Sequence, residues 1–145
     1  MSLDGTYDDG NIFAKILRGE MPAASVYEDE DVLAFMDVFP QSRGHTLVVP
    51  KQSSARNLLE EDPERLAALA KGVQRVARAV REALKPDGIT INQFNGSAAG
   101  QTVFHLHVHI IPRWENAPLG RHGEGGMADP AELKALAEQI GAKIA

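Results

Sequence analysis

The sequence predicts an α+β domain: a five-stranded antiparallel sheet with a long helix and a C-terminal helix packed on it. Five short apolar segments have the composition of β-strands and follow one another largely as hairpins. Three segments show the 3.6-residue repeat of an amphipathic helix, which is too few for regular βαβ alternation. The length of 145 residues fits a single domain, residues 1–145.

The helices are predicted from their ends. Ile12–Leu17 has helical spacing and forms a short first helix. Asp62–Pro63 is an N-cap followed by a first-turn proline, and it opens the longest helix, which Pro86 ends. Asp129–Pro130 opens the last helix in the same way, so both long helices have a defined start.

The strands are predicted from apolar runs between turn residues. We expect residues 1–10 to be a flexible N-terminus and residues 114–128 to be an irregular, glycine-rich segment. The predicted strands are 25–27, 32–36, 46–49, 89–94 and about 103–111.

Composition excludes several classes of protein. The chain has no cysteine, which excludes disulfides, thiolate metal sites and thiol nucleophiles. Its net charge of −5 argues against binding a nucleic-acid polymer, although a small anionic ligand remains compatible with it. No apolar run approaches the roughly 18 residues that span a bilayer, and the start has no apolar signal segment. We therefore expect a cytoplasmic protein with no membrane partner.

The most informative segment is a run of three histidines. His105, His107 and His109 alternate with Leu, Val and Ile, which is the period of a strand. The three imidazoles would then leave one face and span about 13 Å. Four explanations compete: structural histidines, a strand-borne metal site, a nucleotide-binding module without turnover, and an enzyme with an imidazole nucleophile.

The composition of the loop before this run indicates a phosphate ligand. Residues 95–102 are rich in small side chains, so backbone N–H groups can approach a ligand closely. Gln101 and Thr102 add an amide and a hydroxyl as donors. Loop and histidines together predict one phosphate site, which both an enzyme with an imidazole nucleophile and a nucleotide-binding module without turnover would use.

At these residues the chain resembles the histidine triad (HIT) superfamily. The triad and the preceding 100–103 match its signature, and further similar segments are 11–22, 33–38 and 44–51. Together they resemble the Hint-type branch of purine nucleoside phosphoramidate hydrolases. The resemblance implies the HIT-like fold and a homodimer with one continuous sheet.

The resemblance also implies a role for each site residue. His107 would be the nucleophile, His105 and His109 would contact or orient the phosphate, and His45 would complete the cluster. Gln101 and Thr102 would bind phosphate oxygens. These roles imply attack on the α-phosphate of nucleoside-5′-phosphoryl-X substrates such as phosphoramidates, acyl adenylates or dinucleoside polyphosphates.

The remaining implied residues bind the nucleoside of a purine nucleotide, the expected small-molecule partner. Asp37 would hold the ribose hydroxyls, and Asn95 would lie near the sugar or the leaving group. The base pocket would be formed by Ile12, Phe13, Ile16 and Phe35.

Two departures from relatives refine these implications. Asn11 and Ala14 stand where some bacterial relatives carry the cysteines of a structural zinc site, so we expect no such zinc. The chain has no cysteine, and neither the histidine run nor the loop before it contains an acidic residue, so we expect no metal and no cofactor. The third histidine is His109 and not glutamine, which argues against the nucleotidyltransferase branch and makes water the expected acceptor. A non-catalytic purine-nucleotide-binding regulator and a strand-borne histidine metal site remain the alternatives.

Overall fold

The structure is a computed structural model that describes residues 3–119 and 126–145. Short 3-10 turns occupy Leu58–Glu60 and Ser97–Ala99. The helices and strands in chain order are α1 (Ile12–Leu17), β1 (Ser25–Glu28), β2 (Val32–Met36), β3 (Thr46–Pro50), α2 (Pro63–Leu84), β4 (Gly88–Asn92), β5 (Val108–Arg113) and α3 (Pro130–Gly141).

The five strands form one sheet in the order β1-β2-β3-β5-β4, and every neighbouring pair is antiparallel. The predicted fold class is therefore confirmed. Both predicted helix starts are also present: the Asp62 carboxylate accepts from the backbone N–H of Glu64, and the Asp129 carboxylate accepts from that of Ala131. Local capping signals were sufficient to locate these ends.

The sheet separates two apolar clusters. On β2, Val32, Ala34 and Met36 face the main core under α2 and α3, whereas Leu33 and Phe35 face a smaller cluster beside α1. The main core is tight, because a Cβ on Gly72 of α2 would lie only 2.8 Å from the Val32 side chain. Two of the predicted base-pocket residues, Phe13 and Phe35, belong to the smaller cluster.

The prediction for the histidine strand was partly wrong. β5 begins at Val108, so His105 and His107 lie before it. The register pairs Val48 with Val108, which would place Pro50 opposite residue 106. Proline has no N–H to offer, and the Pro50 carbonyl accepts from His105 instead. The Leu106 N–H turns to the Ala55 carbonyl, and the ladder therefore stops.

The two predicted irregular segments differ in what the structure describes. Leu3 and Tyr7 of the N-terminal segment make hydrogen bonds to Asn57 and His105, and the predicted flexibility of residues 1–10 stays a prediction. In the glycine-rich segment, Trp114 and Ala117 form an isolated bridge, and residues 120–125 lie outside the described residues. Among the described helices, none has the length and apolar character needed to cross a membrane.

Candidate active site

Four histidines converge beside the smaller apolar cluster. His45 and His105 are 0% and 1% exposed, and His107 and His109 are each 6% exposed. The ring centroids of His107 and His109 lie 5.0 Å apart, and those of His45 and His109 lie 5.2 Å apart. The rings of His45, His109 and His107 are therefore neighbours, and the Phe13 ring contacts both His105 and His107, although only His109 belongs to the strand.

The hydrogen bond of His107 determines which of its nitrogens can react. Nδ1 lies 2.7 Å from the main-chain oxygen of His105. A carbonyl oxygen only accepts, so Nδ1 carries the proton and Nε2 of the neutral ring carries the lone pair. The ring of Phe13 packs edge-on against His107 at 4.9 Å. This arrangement makes Nε2 the basic nitrogen of the neutral His107 ring.

Both ring nitrogens of His105 are engaged. Nε2 donates to the Pro50 carbonyl at 3.1 Å, which leaves Nδ1 to accept from the hydroxyl of Tyr7 at 2.7 Å. Burial lowers the pKa of His105 below its ordinary value, and the Pro50 carbonyl and the charge of Glu61 oppose this effect. His105 therefore orients its neighbour through its carbonyl and has no ring N–H left for a phosphate.

His45, His109 and Asp37 form a second unit, which we call the carboxylate–histidine cluster. The Gln41 N–H donates to His45 Nδ1 at 3.0 Å, so the proton of the neutral His45 ring is on Nε2. His45 Nε2 lies 2.9 Å from His109 Nδ1 and 3.4 Å from the Asp37 carboxylate. His109 Nδ1 must then accept, which places the proton of His109 on Nε2.

The same cluster has the residue types of a metal site. The three candidate ligand atoms lie within 4.8 Å of one another, and all three residues are buried. A metal on His45 Nε2 would replace the proton there while the Gln41 N–H still donates to Nδ1. The His45 ring would then carry no proton on either nitrogen and would be a metal-bound imidazolate. The observed hydrogen bonds therefore favour a proton over a metal at Nε2.

The loop before the triad differs from its predicted role. The N–H groups of Ala99, Gly100 and Gln101 all donate to the carbonyls of Gly96 or Ser97, which closes a turn. These three donors are therefore used within the loop. The prediction that backbone N–H groups of this loop bind a phosphate is wrong for these three groups. The small residues allow the loop to form hydrogen bonds within itself instead.

Gln101 holds the loop in place. Its amide accepts from the Gly96 N–H at 2.8 Å and donates to the carbonyls of Arg56 at 2.6 Å and Val103 at 3.0 Å. Both of its N–H donors are therefore occupied, and a phosphate contact would require breaking one of these bonds. Thr102 is exposed. Phosphate binding by either residue stays a prediction.

Asn95 and Asp37 also have local partners. The Asn95 side-chain oxygen accepts from the Leu58 N–H at 3.0 Å, which ties the loop to the Leu58–Glu60 turn. One Asp37 oxygen accepts from the Phe39 N–H at 2.8 Å, and the residue is 4% exposed. Their predicted contacts with the sugar are not tested by these bonds and stay predictions.

The predicted base-pocket residues lie together, but with different exposure. Phe13 and Phe35 are buried and pack edge-to-face at 5.4 Å, and Ile16 packs against the same cluster. Ile12 is 42% exposed. Phe13, Phe35 and Ile16 therefore form an apolar wall beside His107, and Ile12 lies at the exposed start of α1.

Sequence reasoning missed Tyr7, whose hydroxyl donates to His105, and Gln41, whose backbone N–H sets the protonation of His45. Gln41 acts through its backbone N–H, which any residue except proline offers, so no sequence signal identifies it. Tyr7 acts from a segment that was expected to be flexible. Only the folded chain brings these donors to the histidines.

Comparisons with known proteins identify the family of this chain. The HIT domain family matches residues 18–116. Protein hit of Bacillus subtilis is 47% identical over 103 residues, which cover 71% of this chain and 70% of that protein. Adenosine 5′-monophosphoramidase hnt1 of Schizosaccharomyces pombe is 38% identical and covers 92% of this chain and 97% of its own length.

A solved structure shares the fold. The crystal structure of a Hit-like protein from Bartonella henselae is 50% identical and has a TM-score of 0.87, covering 94% of this chain and 98% of that one. The sheet, the row of buried histidines and these matches lead to one assignment. The chain belongs to the histidine triad (HIT) domain family.

Proposed function

We propose that this protein is a nucleotide hydrolase that cleaves nucleoside-5′-phosphoryl-X substrates at the α-phosphate, with His107 as the covalent nucleophile. The observation that carries the proposal is the bond from His107 Nδ1 to the His105 carbonyl. It directs the lone pair of the neutral ring to Nε2, which is the state required for attack.

The reaction has two displacement steps. His107 Nε2 attacks phosphorus, a P–N bond forms, the P–X bond breaks and X departs with its electron pair and takes up a proton. The ring becomes positively charged, and the His105 carbonyl stabilises this charge through Nδ1–H. Water then attacks phosphorus, the P–N bond breaks, and the products are the nucleoside monophosphate and regenerated His107.

His109 supplies charge stabilisation in both steps. The carboxylate–histidine cluster keeps the His109 proton on Nε2, so the ring presents an N–H donor beside His107. Such a donor can bind a non-bridging phosphate oxygen as negative charge develops. Thr102 is a second donor for this role, because its hydroxyl lies in the exposed part of the loop.

The nucleoside would bind along the apolar wall. Phe13, Phe35 and Ile16 form its inner part and Ile12 its outer edge, which suits a flat purine ring. Asp37 and Asn95 would contact the sugar. Two relatives are named adenosine 5′-monophosphoramidase and adenylylsulfatase, and these names support an adenine nucleotide and an X group of variable chemistry.

A homodimer with a continuous sheet would be formed through β4. This strand lies at the sheet edge, and Ile91 on it is 49% exposed. Ile91 and Ile89 border an apolar groove of about 340 Å³ against α2. An exposed strand edge beside an apolar groove suits pairing with a second copy of the chain.

Turnover of a fluorogenic adenosine phosphoramidate tests the proposed activity. We expect the wild type to release the amine, and His107→Ala to lose roughly 10³-fold or more of kcat, as single nucleophile deletions do. AMP binding, measured by calorimetry, should persist in His107→Ala because the apolar wall is intact. AMP binding without turnover by the wild type would instead support the non-catalytic regulator.

A further inference from the structure

The hydroxyl of Tyr7 lies inside the hydrogen-bond chain that leads to the nucleophile. We propose that Tyr7 is a positioning residue, which holds His107 in its reactive tautomer by acting through His105. The proposal rests on the proposed function, in which His107 attacks phosphorus. Tyr7 and His105 are separated by 98 positions in the chain, so the contact is a product of the tertiary fold.

The direction of the hydrogen bond between Tyr7 and His105 follows from the bond between His105 and Pro50. His105 Nε2 faces the Pro50 carbonyl, which only accepts, and the neutral ring therefore has its proton on Nε2. Nδ1 is left as an acceptor, and the Tyr7 hydroxyl donates to it at 2.7 Å. Tyr7 is half-buried and His105 is 1% exposed, so little water is available to replace this donor.

The hydrogen bond between the His105 main chain and the His107 ring transmits the position of His105 to His107. The main-chain oxygen of His105 accepts from His107 Nδ1 at 2.7 Å. This stretch lies outside the described strands, because β5 begins at Val108. The His105 carbonyl is therefore held by the His105 side chain and by the adjacent bond from the Leu106 N–H to the Ala55 carbonyl.

Loss of the Tyr7 hydroxyl would release one of these anchors. His105 Nδ1 would become a buried acceptor without its donor, and the ring would gain by turning or by moving its proton. Either change weakens the bond to the Pro50 carbonyl and shifts the main chain at His105. The His107 ring would then populate the tautomer with the proton on Nε2, which cannot attack.

Tyr7→Phe removes only the hydroxyl and retains the ring, which packs against His105 at a centroid distance of 5.8 Å. The matched control is Tyr27→Phe. The Tyr27 hydroxyl also donates over 2.7 Å, to the Asp29 carboxylate, and is half-buried. Tyr27 lies on β1, which is the sheet edge farthest from β5 along the strand order.

The kinetic test compares both variants with the wild type on the adenosine phosphoramidate. For Tyr7→Phe we expect kcat to fall about tenfold while KM changes less than about twofold, the effect of one buried hydrogen bond acting on the transition state. Tyr27→Phe should retain kcat. Unchanged kcat in Tyr7→Phe, or a raised KM with normal kcat, would overturn the proposal.

A second readout is independent of turnover. Two-bond ¹H–¹⁵N spectra of the imidazoles report the tautomer of each histidine in the nucleotide-free protein. We expect His107 to carry its proton on Nδ1 in the wild type and in Tyr27→Phe, and to show a mixture in Tyr7→Phe. An unchanged His107 tautomer in Tyr7→Phe refutes the positioning role, even if the wild type turns over no phosphoramidate and the proposed function itself fails.

Discussion

Replacing Gln101 with leucine should destabilise the fold, in addition to any effect on catalysis. Leucine has a similar size, so the packing of this 3% exposed side chain is largely retained. What disappears are the bonds to the Gly96 N–H and to the carbonyls of Arg56 and Val103. Each of these backbone groups then lacks the partner that Gln101 supplied.

The expected size follows from these three bonds. At about 1 kcal/mol for each lost hydrogen bond, the free energy of unfolding should fall by about 3 kcal/mol. For a chain of this length that corresponds to a fall in melting temperature of roughly 6–12 °C. The exposed neighbour provides the control, because Thr102→Val should change stability by no more than about 0.5 kcal/mol.

Thermal and urea unfolding, followed by circular dichroism, measure both variants. If Gln101→Leu melts within about 2 °C of the wild type, the bonds contribute little and the structural role assigned to Gln101 is wrong. If that variant is also inactive, Gln101 is a phosphate ligand, as the sequence first suggested. Parallel loss of stability and activity would show that the loop must be held for catalysis.

Three further predictions concern solution conditions and assembly. Because burial lowers the pKa of His105, the folded state should lose stability as the pH falls below the ordinary histidine pKa of about 6.5. Urea titrations at about pH 7 and pH 5 should show a smaller loss of unfolding free energy in His105→Asn than in the wild type. Activity should persist in a chelator, whereas stoichiometric zinc with chelator-sensitive turnover would show that the carboxylate–histidine cluster is a metal site. Light scattering should give a dimer mass, and Ile91→Lys at the exposed β4 edge should reduce it; a monomeric wild type would contradict the proposed interface.

Most of the fold could be predicted because its signals are local. Asp62–Pro63 and Asp129–Pro130 mark helix starts within a few residues, and β2 is an apolar run that directly follows the polar turn at 28–31. The start of β5 was missed because it depends on Pro50, which lies opposite residue 106 only once β3 and β5 are paired.

The site was predicted less completely for the same reason. The histidine run identifies its own imidazoles, but the partners of two of the rings lie elsewhere in the chain: Tyr7 for His105, and His45 for His109. The absence of acidic residues beside the run argued against a metal. The sheet nevertheless brings Asp37 from the end of β2 to His45, because these positions flank neighbouring strands. Topology, and not local pattern, determines these contacts.

The nucleophilic role of His107 is tested most directly by trapping its adduct. The wild type is mixed with an adenosine phosphoramidate, quenched within milliseconds and digested, and the peptide from Val103 to Arg113 is analysed by mass spectrometry. The bond from His107 Nδ1 to the His105 carbonyl predicts an adenylyl group on His107 Nε2. The adduct should be absent from His107→Ala and still form in Tyr27→Phe. An adduct on another residue, or full activity in His107→Ala, would contradict the assignment.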